Sequence, residues 1–188
     1  MNAKIHIFSI ALILLILIIG FVISSPSGLI TFYVSTFGFI SLIGIIFVLF
    51  IPLFLKIKQN NFTSVLMGNR RWIGIYVFIF ALIHLVIVYN FFFNWDIVNA
   101  ISNPYRAIGS IAFLVLLIMA ITSNNTAMKK LGKNWKRIQY FIYAVLIITI
   151  FHAFNIGVIF FQNDIIKIII PVLFVIILIG KLYIKARK

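Results

Sequence analysis

The sequence of 188 residues contains no cysteine, and its only 2 acidic residues are Asp96 and Asp164. Without a thiol the protein has no disulfide, no thiolate nucleophile, no iron–sulfur cluster and no zinc–thiolate site. Neither acid lies in an apolar run of the chain, so a proton relay built from carboxylates inside a membrane is disfavoured as well. The chemistry of this protein must therefore come from other side chains.

Apolar residues dominate what is present: they make up 64% of the chain, charged residues make up 10%, and the mean hydropathy is +1.24. These values lie far outside the range of soluble globular proteins and indicate an integral membrane protein. A bilayer core about 30 Å thick needs roughly 20 apolar residues for each helix that crosses it. The apolar runs of suitable length are 5–24, 29–55, 72–93, 105–122, 138–161 and 165–184.

These runs are continuous, whereas the strands of a membrane barrel alternate apolar and polar residues. We therefore predict an all-α integral membrane protein, a bundle of six transmembrane helices. The longest polar breaks, 56–71 and 123–137, are too short to bury a core of their own. The expected organisation is a single membrane domain over 1–188. No G-x-G-x-x-G follows a strand, so a nucleotide-binding domain is not expected.

The first run has an alternative interpretation as a secretory signal, because Lys4 precedes an apolar stretch that ends in "SSPSG". The stretch is longer than a usual signal core and lacks a clear small-x-small cleavage site. A retained first helix is therefore favoured.

The net charge of +14 raises the question of nucleic-acid binding, which the placement of the charges answers. With the amino terminus inside, every lysine and arginine except Arg106 and Lys167 falls on the cytoplasmic side. This positive-inside pattern predicts a multi-pass protein of the cell membrane with both termini in the cytoplasm, in contact with the lipid bilayer and not with nucleic acid. For the stretch 128–137, a docking surface for an acidic cytosolic protein is the alternative.

Two local signals support these spans. Asn103 followed by Pro104 is typical of a helix start, with an N-cap and a proline in the first turn. Pro52 and Pro171 fall within or near the ends of spans, where they are expected to kink the helices.

Two histidines lie deep within the apolar runs, His84 in the third and His152 in the fifth. Each is nine residues from the predicted outer end of its span, so the two imidazoles should lie at nearly the same depth on parallel helices. An ionisable side chain in a membrane usually faces a partner inside the bundle. For either histidine alone, a hydrogen bond to a carbonyl is the favoured role, but the matched pair favours a shared ligand site.

Heme iron suits such a pair, because one imidazole from each of two helices supplies both axial positions. Zinc or copper generally needs a third or fourth protein donor, and no carboxylate lies within a span to provide one. The third histidine, His6, lies at the inner end of the first span and is expected to be solvated there rather than to bind a metal.

The stretches "RRWIGIYVFIFALIHL" (70–85) and "NPYRAIG" (103–109), with "TSNNTAMKKLGKNW" (122–135) and the later "FHAF" (151–154), resemble the ferric reductase-like transmembrane family. The resemblance covers about 70–154 and implies a heme-binding core over about 68–161. Carried over residue by residue, it makes His84 and His152 the axial ligands of one b-type heme.

NADPH oxidases and ferric reductases of this superfamily usually carry two histidines on each of these helices and stack two hemes. Here the inner positions are occupied by Arg70, fourteen residues before His84, and Gln139, thirteen residues before His152. Neither is a normal heme ligand, so a second heme is not expected. Arg70 and Arg71 are candidates to pair with a heme propionate or a flavin phosphate, and a role as interfacial topology anchors is equally favoured.

Fourteen helical residues span about 21 Å, which is a long path from the cytosol to a single heme. We therefore expect electrons to enter from a membrane quinol, or from a flavin such as FMN held in the inner half of the bundle and supplied by a cytosolic flavin reductase. The acceptor outside would be an exported reductase or ferric iron. An electron-transfer subunit is thus favoured over a complete enzyme. The alternative is a non-redox membrane protein, an assembly factor or small transporter, whose histidines only tie helices together.

Overall fold

The computed structural model describes residues 3–186, with the side chain of Lys185 left out. Within these residues the chain is helical and contains no strand. The helices are α1 (Ala3–Ile23), α2 (Leu29–Ile57), α3 (Asn61–Phe92), α4 (Ile97–Ser102), α5 (Pro104–Ile121), α6 (Asn125–Leu131), α7 (Lys133–Tyr140), α8 (Ile142–Ile156) and α9 (Asp164–Ala186). A short 3-10 turn, Phe160–Gln162, precedes α9.

The predicted bundle of six spans is confirmed: α1, α2, α3, α5, α9 and the stretch Lys133–Ile156, which joins α7 and α8, are each long and apolar enough to cross a membrane. Asn103 caps α5 as predicted, its side chain accepting hydrogen bonds from the backbone N–H groups of Tyr105 and Arg106. Pro52 and Pro171 lie inside α2 and α9, and the kinks expected from them stay a prediction. Which end faces the cytoplasm stays a prediction, and Arg187 and Lys188, assigned to that side, lie outside the described residues.

The first polar break is much shorter than predicted. The third helix begins at Asn61 rather than at residue 72, so only residues 58–60 separate α2 from α3. The physical reason is a capping box: the backbone N–H of Thr63 donates to the Asn60 side chain at 2.9 Å, and the Asn60 N–H donates to the Thr63 hydroxyl at 3.1 Å. These bonds satisfy backbone groups that a helix start leaves unpaired. The second break, 123–137, is likewise largely helical, since it contains α6 and the start of α7.

The fifth span ends earlier than predicted, at Ile156 rather than at residue 161. Gly157 adopts an extended conformation and turns the chain, after which the Phe160 ring stacks on Phe39 of α2 with 4.3 Å between ring centroids. His152 is therefore four residues from the end of its helix, not nine.

Two helix pairs, α2 with α3 and α5 with α8, form the centre of the bundle. Helix α9 covers one flank, where Gly180 lies directly against Leu53 of α2. Helix α1 covers the other flank through Ile16, which packs with Phe37 and Phe80. This packing leaves the four central helices to enclose the space between the two pairs.

We call the two ends of the bundle the basic end and the opposite end. The basic end consists of the connection between α2 and α3, together with α6 and α7. The opposite end consists of α4 and the first turns of α5 and α9, and it carries Asp96, Arg106 and Asp164.

Candidate cofactor site

His84 of α3 and His152 of α8 lie side by side in the centre of the bundle. Their ring centroids are 6.3 Å apart, and the ring planes are nearly perpendicular, at 89°. The matched depth predicted from the sequence thus corresponds to adjacent side chains. The predicted count of nine residues from His152 to the outer end of its helix was wrong, because α8 ends five residues early. The two histidines are nevertheless adjacent.

The imidazole of His84 is fixed by the neighbouring helix α2. Its Nδ1 lies 2.8 Å from the backbone oxygen of Val34. Four residues further along α2 is Gly38, and a Cβ atom at this position would lie only 2.8 Å from His84 Nδ1. The absence of a side chain at Gly38 therefore lets the imidazole reach a carbonyl that is part of the helix backbone.

His152 is fixed in the same way by α5. Its Nδ1 lies 2.8 Å from the backbone oxygen of Tyr105, and Gly109 follows Tyr105 by four residues. A Cβ atom at Gly109 would collide with the ring of His152, most closely at Nδ1. The two helix pairs therefore carry the same arrangement: a histidine on one helix, and on the other a carbonyl followed by a glycine one turn later.

This arrangement determines which ring nitrogen is free. A backbone carbonyl only accepts hydrogen bonds, so Nδ1 of each neutral ring carries the proton and Nε2 keeps its lone pair. No group in the described part of the chain hydrogen-bonds to either Nε2 atom. A histidine with Nδ1 held by a carbonyl and Nε2 free is the usual state of a metal-ligating imidazole.

Both rings line a cavity of about 460 Å³ between α2, α3, α5 and α8. This is within the size range of small-molecule and cofactor sites. Small side chains supply much of the room. The glycine, alanine, serine and threonine residues that line the cavity are Thr31, Ser35, Gly38, Ser41, Ala81, Ala100, Gly109, Ser110, Ala112, Thr149, Ala153 and Gly157. The rest of the wall is mainly aliphatic and aromatic.

The spacing of the two rings fits a pair of imidazoles that share one metal ion. Two metal–nitrogen bonds of about 2 Å, with each ring centre about 1.2 Å beyond its nitrogen, would separate the centroids by about 6.4 Å if the two nitrogens faced each other across the metal. The described residues contain no group of three or more His, Cys, Asp or Glu that would hold a bare metal ion. Two histidines beside an apolar cavity therefore suit a metal that brings its other ligands with it, as heme iron does.

The paired arginines lie away from this cavity. Arg70 Nε donates to the Val48 carbonyl at 3.0 Å, and Arg71 donates to the side chains of Asn125 and Met128. Neither lines the cavity. Both are near the basic end, fourteen and thirteen residues along α3 from His84.

The inner position Gln139, which lies on α7, is also taken up by protein contacts. The Gln139 amide lies 3.4 Å from both the Met119 carbonyl and the Ser123 hydroxyl, at the limit of a hydrogen bond. A cavity of about 160 Å³ lies between α5 and the start of the fifth span, lined by Val115, Ile118, Met119, Ile138 and Phe141. Neither Arg70 nor Gln139 lines it. That the bundle holds a single heme stays a prediction.

The expectation that His6 is solvated is wrong. Its Nδ1 is 2.7 Å from the Tyr76 hydroxyl, and its ring makes edge contacts with Trp72 and Tyr76. The Nε2 atom is buried and has no partner among the described residues. The reason is that α1 packs against α3 at this level, which places His6 between the two helices.

The family model for the ferric reductase like transmembrane component matches residues 37–150 of this chain. The chain belongs to this family. The matched region begins just before Gly38 and ends just before His152, so it contains His84 and nearly the whole set of cavity-lining helices. The resemblance seen in the sequence is thereby confirmed.

Curated relatives of this ferric reductase-like chain include two proteins named protein-methionine-sulfoxide reductase heme-binding subunit MsrQ. The one from Pectobacterium atrosepticum is 36% identical over 88 residues, which is 44% of each chain. The one from Xanthomonas oryzae pv. oryzae is 30% identical over 100 residues, 51% of this chain and 46% of the relative. The chain thus spans about half the length of the curated relatives it matches. No solved structure matches it significantly.

Three site residues of this family member were missed in the sequence. Gly38 and Gly109 are small residues within apolar spans. Their distance along the sequence from the histidines does not indicate a contact, because each lies on a different helix from the histidine it touches. Arg106 lines the cavity, although the sequence placed it in an outer segment and gave it only a topological role. The available signal was its isolation, since Arg106 and Lys167 are the only basic residues predicted for that side.

Proposed function

We propose that this protein is a membrane electron-transfer subunit that holds one b-type heme between His84 and His152. The observation that carries the proposal is the pair of imidazoles 6.3 Å apart, each with Nδ1 on a carbonyl and Nε2 free. Membership of the ferric reductase-like family supports it, as does similarity to relatives named as heme-binding subunits.

The protein's part in such a site is to orient the two ligands and exclude water. The hydrogen bonds to the Val34 and Tyr105 carbonyls fix each ring and make its Nε2 a better donor to a metal. The mainly apolar wall keeps the local dielectric low, a property that tunes the redox potential of a bound iron. When bound, heme supplies one-electron chemistry, which no side chain in this cavity provides.

The electron donor in this proposal is a membrane quinol, or FMN in the inner half of the bundle with a cytosolic flavin reductase behind it. Arg70 and Arg71 are the candidate residues for a flavin phosphate, because they lie at the basic end and no carboxylate pairs with them in the described part of the chain. Their contacts with Val48, Asn125 and Met128 are equally compatible with interfacial anchoring.

The proposed acceptor lies outside the membrane, with both termini of the chain in the cytoplasm. The names of the relatives favour an exported methionine sulfoxide reductase as the partner, and ferric iron is the second candidate. In either case this chain acts as the membrane heme subunit of an oxidoreductase.

Reconstitution of the purified protein with a quinol, or with a flavin reductase and FMN, tests this direction of electron flow. We expect one of the two donors to reduce the bound heme, as followed by the optical bands of the reduced form. Arg70→Gln and Arg71→Gln variants should slow reduction by the flavin route and leave heme content unchanged. Reduction by neither donor would contradict both proposed routes.

A non-redox role is the second candidate, favoured by one observation: each histidine ties two helices together through its bond to a carbonyl. In that case His84→Ala and His152→Ala would lower the stability of the bundle, and the wild-type protein would contain no heme. A purified, folded protein from heme-sufficient cells distinguishes the two functions by its absorbance near 400 nm alone.

A further inference from the structure

We propose that Arg106 binds an acidic edge group of the cofactor, namely a carboxylate of the heme, and so sets the orientation of the heme in the cavity. This inference rests on the heme site proposed above. Among the described residues, Arg106 is the one lysine or arginine that lines the cavity, and no aspartate or glutamate of this part of the chain lines it.

Arg106 stands next to the ligand machinery. It follows Tyr105, whose carbonyl holds His152, and it precedes Gly109, on which the imidazole packs, by three residues. Its guanidinium is therefore placed by the same turns of α5 that place one of the two candidate iron ligands. A group that spans from the imidazoles toward the opposite end of the bundle would meet this side chain.

The guanidinium is held by neutral partners. Its Nε donates to the Ala100 carbonyl at 2.9 Å, and one terminal nitrogen, Nη2, donates to the Asn99 carbonyl and the Ser102 hydroxyl, both at 3.1 Å. The group also lies over the ring of Phe93, 4.9 Å from its centroid. These contacts fix its position and leave the other terminal nitrogen, Nη1, without a hydrogen-bond partner in the described part of the chain.

No acidic side chain in the part of the chain that the structure describes pairs with Arg106. The chain has only two acids: Asp96 caps α4 by accepting from the Asn99 N–H at 3.0 Å, and Asp164 pairs with Lys167 at 3.2 Å. A partly buried cation beside an apolar cavity is costly unless an anion joins it. A guanidinium matches the planar geometry of a carboxylate better than an ammonium does.

A purely structural role, in which Arg106 ties α4 to α5, is the competing explanation. It accounts for the bonds of Nε and Nη2, but it does not account for the place of Arg106 in the cavity wall or for Nη1, which has no hydrogen-bond partner among the described residues. The two roles differ in one measurable respect: only the first makes binding depend on the carboxylates of the heme.

The experiment compares two ligands on the apo-protein purified from heme-limited cells: protoheme, and its dimethyl ester, in which both carboxylates are masked. The wild type should bind protoheme more tightly than the ester. Arg106→Gln should weaken protoheme binding about tenfold or more, the loss of one charge-assisted hydrogen bond, and should change ester binding little. Arg106→Lys should retain part of the preference.

Lys167→Gln is the matched control, because it removes a cation at the same end of the bundle that does not line the cavity. It should leave the preference for protoheme intact. A second readout is the reduction potential of the bound heme, which Arg106→Gln should lower, since a nearby positive charge favours the reduced iron, and which Lys167→Gln should change less.

Equal affinity of the wild type for protoheme and the ester would overturn the role of Arg106 and leave the heme site standing, even if no Arg106 variant folds. Equal losses for both ligands in Arg106→Gln would do the same, in favour of the structural role. Failure of the wild type to bind either ligand would overturn the heme site itself, and with it this inference.

Discussion

The imidazole of His152 packs directly on Gly109, with no space for a methyl group between the ring and the α5 backbone. The same relationship joins His84 to Gly38, with slightly more room. These contacts are what allow each Nδ1 to reach a backbone carbonyl, so they should decide whether the rings can act as ligands.

Gly109→Ala should therefore displace the His152 ring and abolish most heme retention, and Gly38→Ala should cause a smaller loss. The loss would come from the displaced ring and not from a weaker helix, because alanine in place of a helical glycine normally stabilises the helix by about 0.5–1 kcal/mol. Heme content per purified chain is the measurement. Gly74→Ala is the matched control, since nothing lies within 4 Å of the added atom and heme content should stay at the wild-type level. Full heme retention in Gly109→Ala would contradict the role given to this contact.

The inner half of the bundle should not accept a second heme even when the missing histidines are supplied. In the double variant Arg70→His with Gln139→His, both inner positions carry imidazoles, but neither position lines the large cavity. Arg70 contacts the Val48 carbonyl, and Gln139 lies beside the Met119 carbonyl and the Ser123 hydroxyl. We expect the ratio of heme to protein to remain at the wild-type value in a pyridine hemochrome assay. A doubled ratio would show that the inner helices separate more easily than their packing indicates.

The contact between His6 and Tyr76 should contribute to stability and not to heme binding. Tyr76→Phe removes the hydroxyl from His6 Nδ1 in a ring whose Nε2 is already without a partner. We expect a loss of about 1 kcal/mol in the free energy of unfolding, the usual value for one hydrogen bond. Thermal unfolding in detergent measures the loss, and heme content should not change. Tyr140→Phe is the control, since that side chain is 61% exposed. Equal effects of the two variants would remove the special role of the pair.

The span count and the pairing of His84 with His152 were predictable because both depend on position along the chain: apolar length defines the helices, and depth follows from counting. The partners of these histidines were not predictable in the same way. The packing of α2 on α3 brings Val34 and Gly38 next to His84, and the packing of α5 on α8 brings Tyr105 and Gly109 next to His152.

Errors in the sequence-based prediction have similar causes. The polar segment 56–71 was interpreted as a break, although the pairing of Asn60 with Thr63 indicates a helix start and α3 extends through most of it. His6 was expected in solvent because the sequence does not show that α1 lies against Trp72 and Tyr76, some 70 residues away.

The measurement that tests the central claim most directly is the heme stoichiometry and spin state of the purified protein from heme-sufficient cells, by hemochrome assay and electron paramagnetic resonance. We predict one b-type heme per chain with the low-spin signal of two imidazole ligands. His84→Ala and His152→Ala should each lose this signal, and His6→Ala should keep it. A folded wild-type protein without heme, or a low-spin signal that survives in both cavity-histidine variants, would contradict the account.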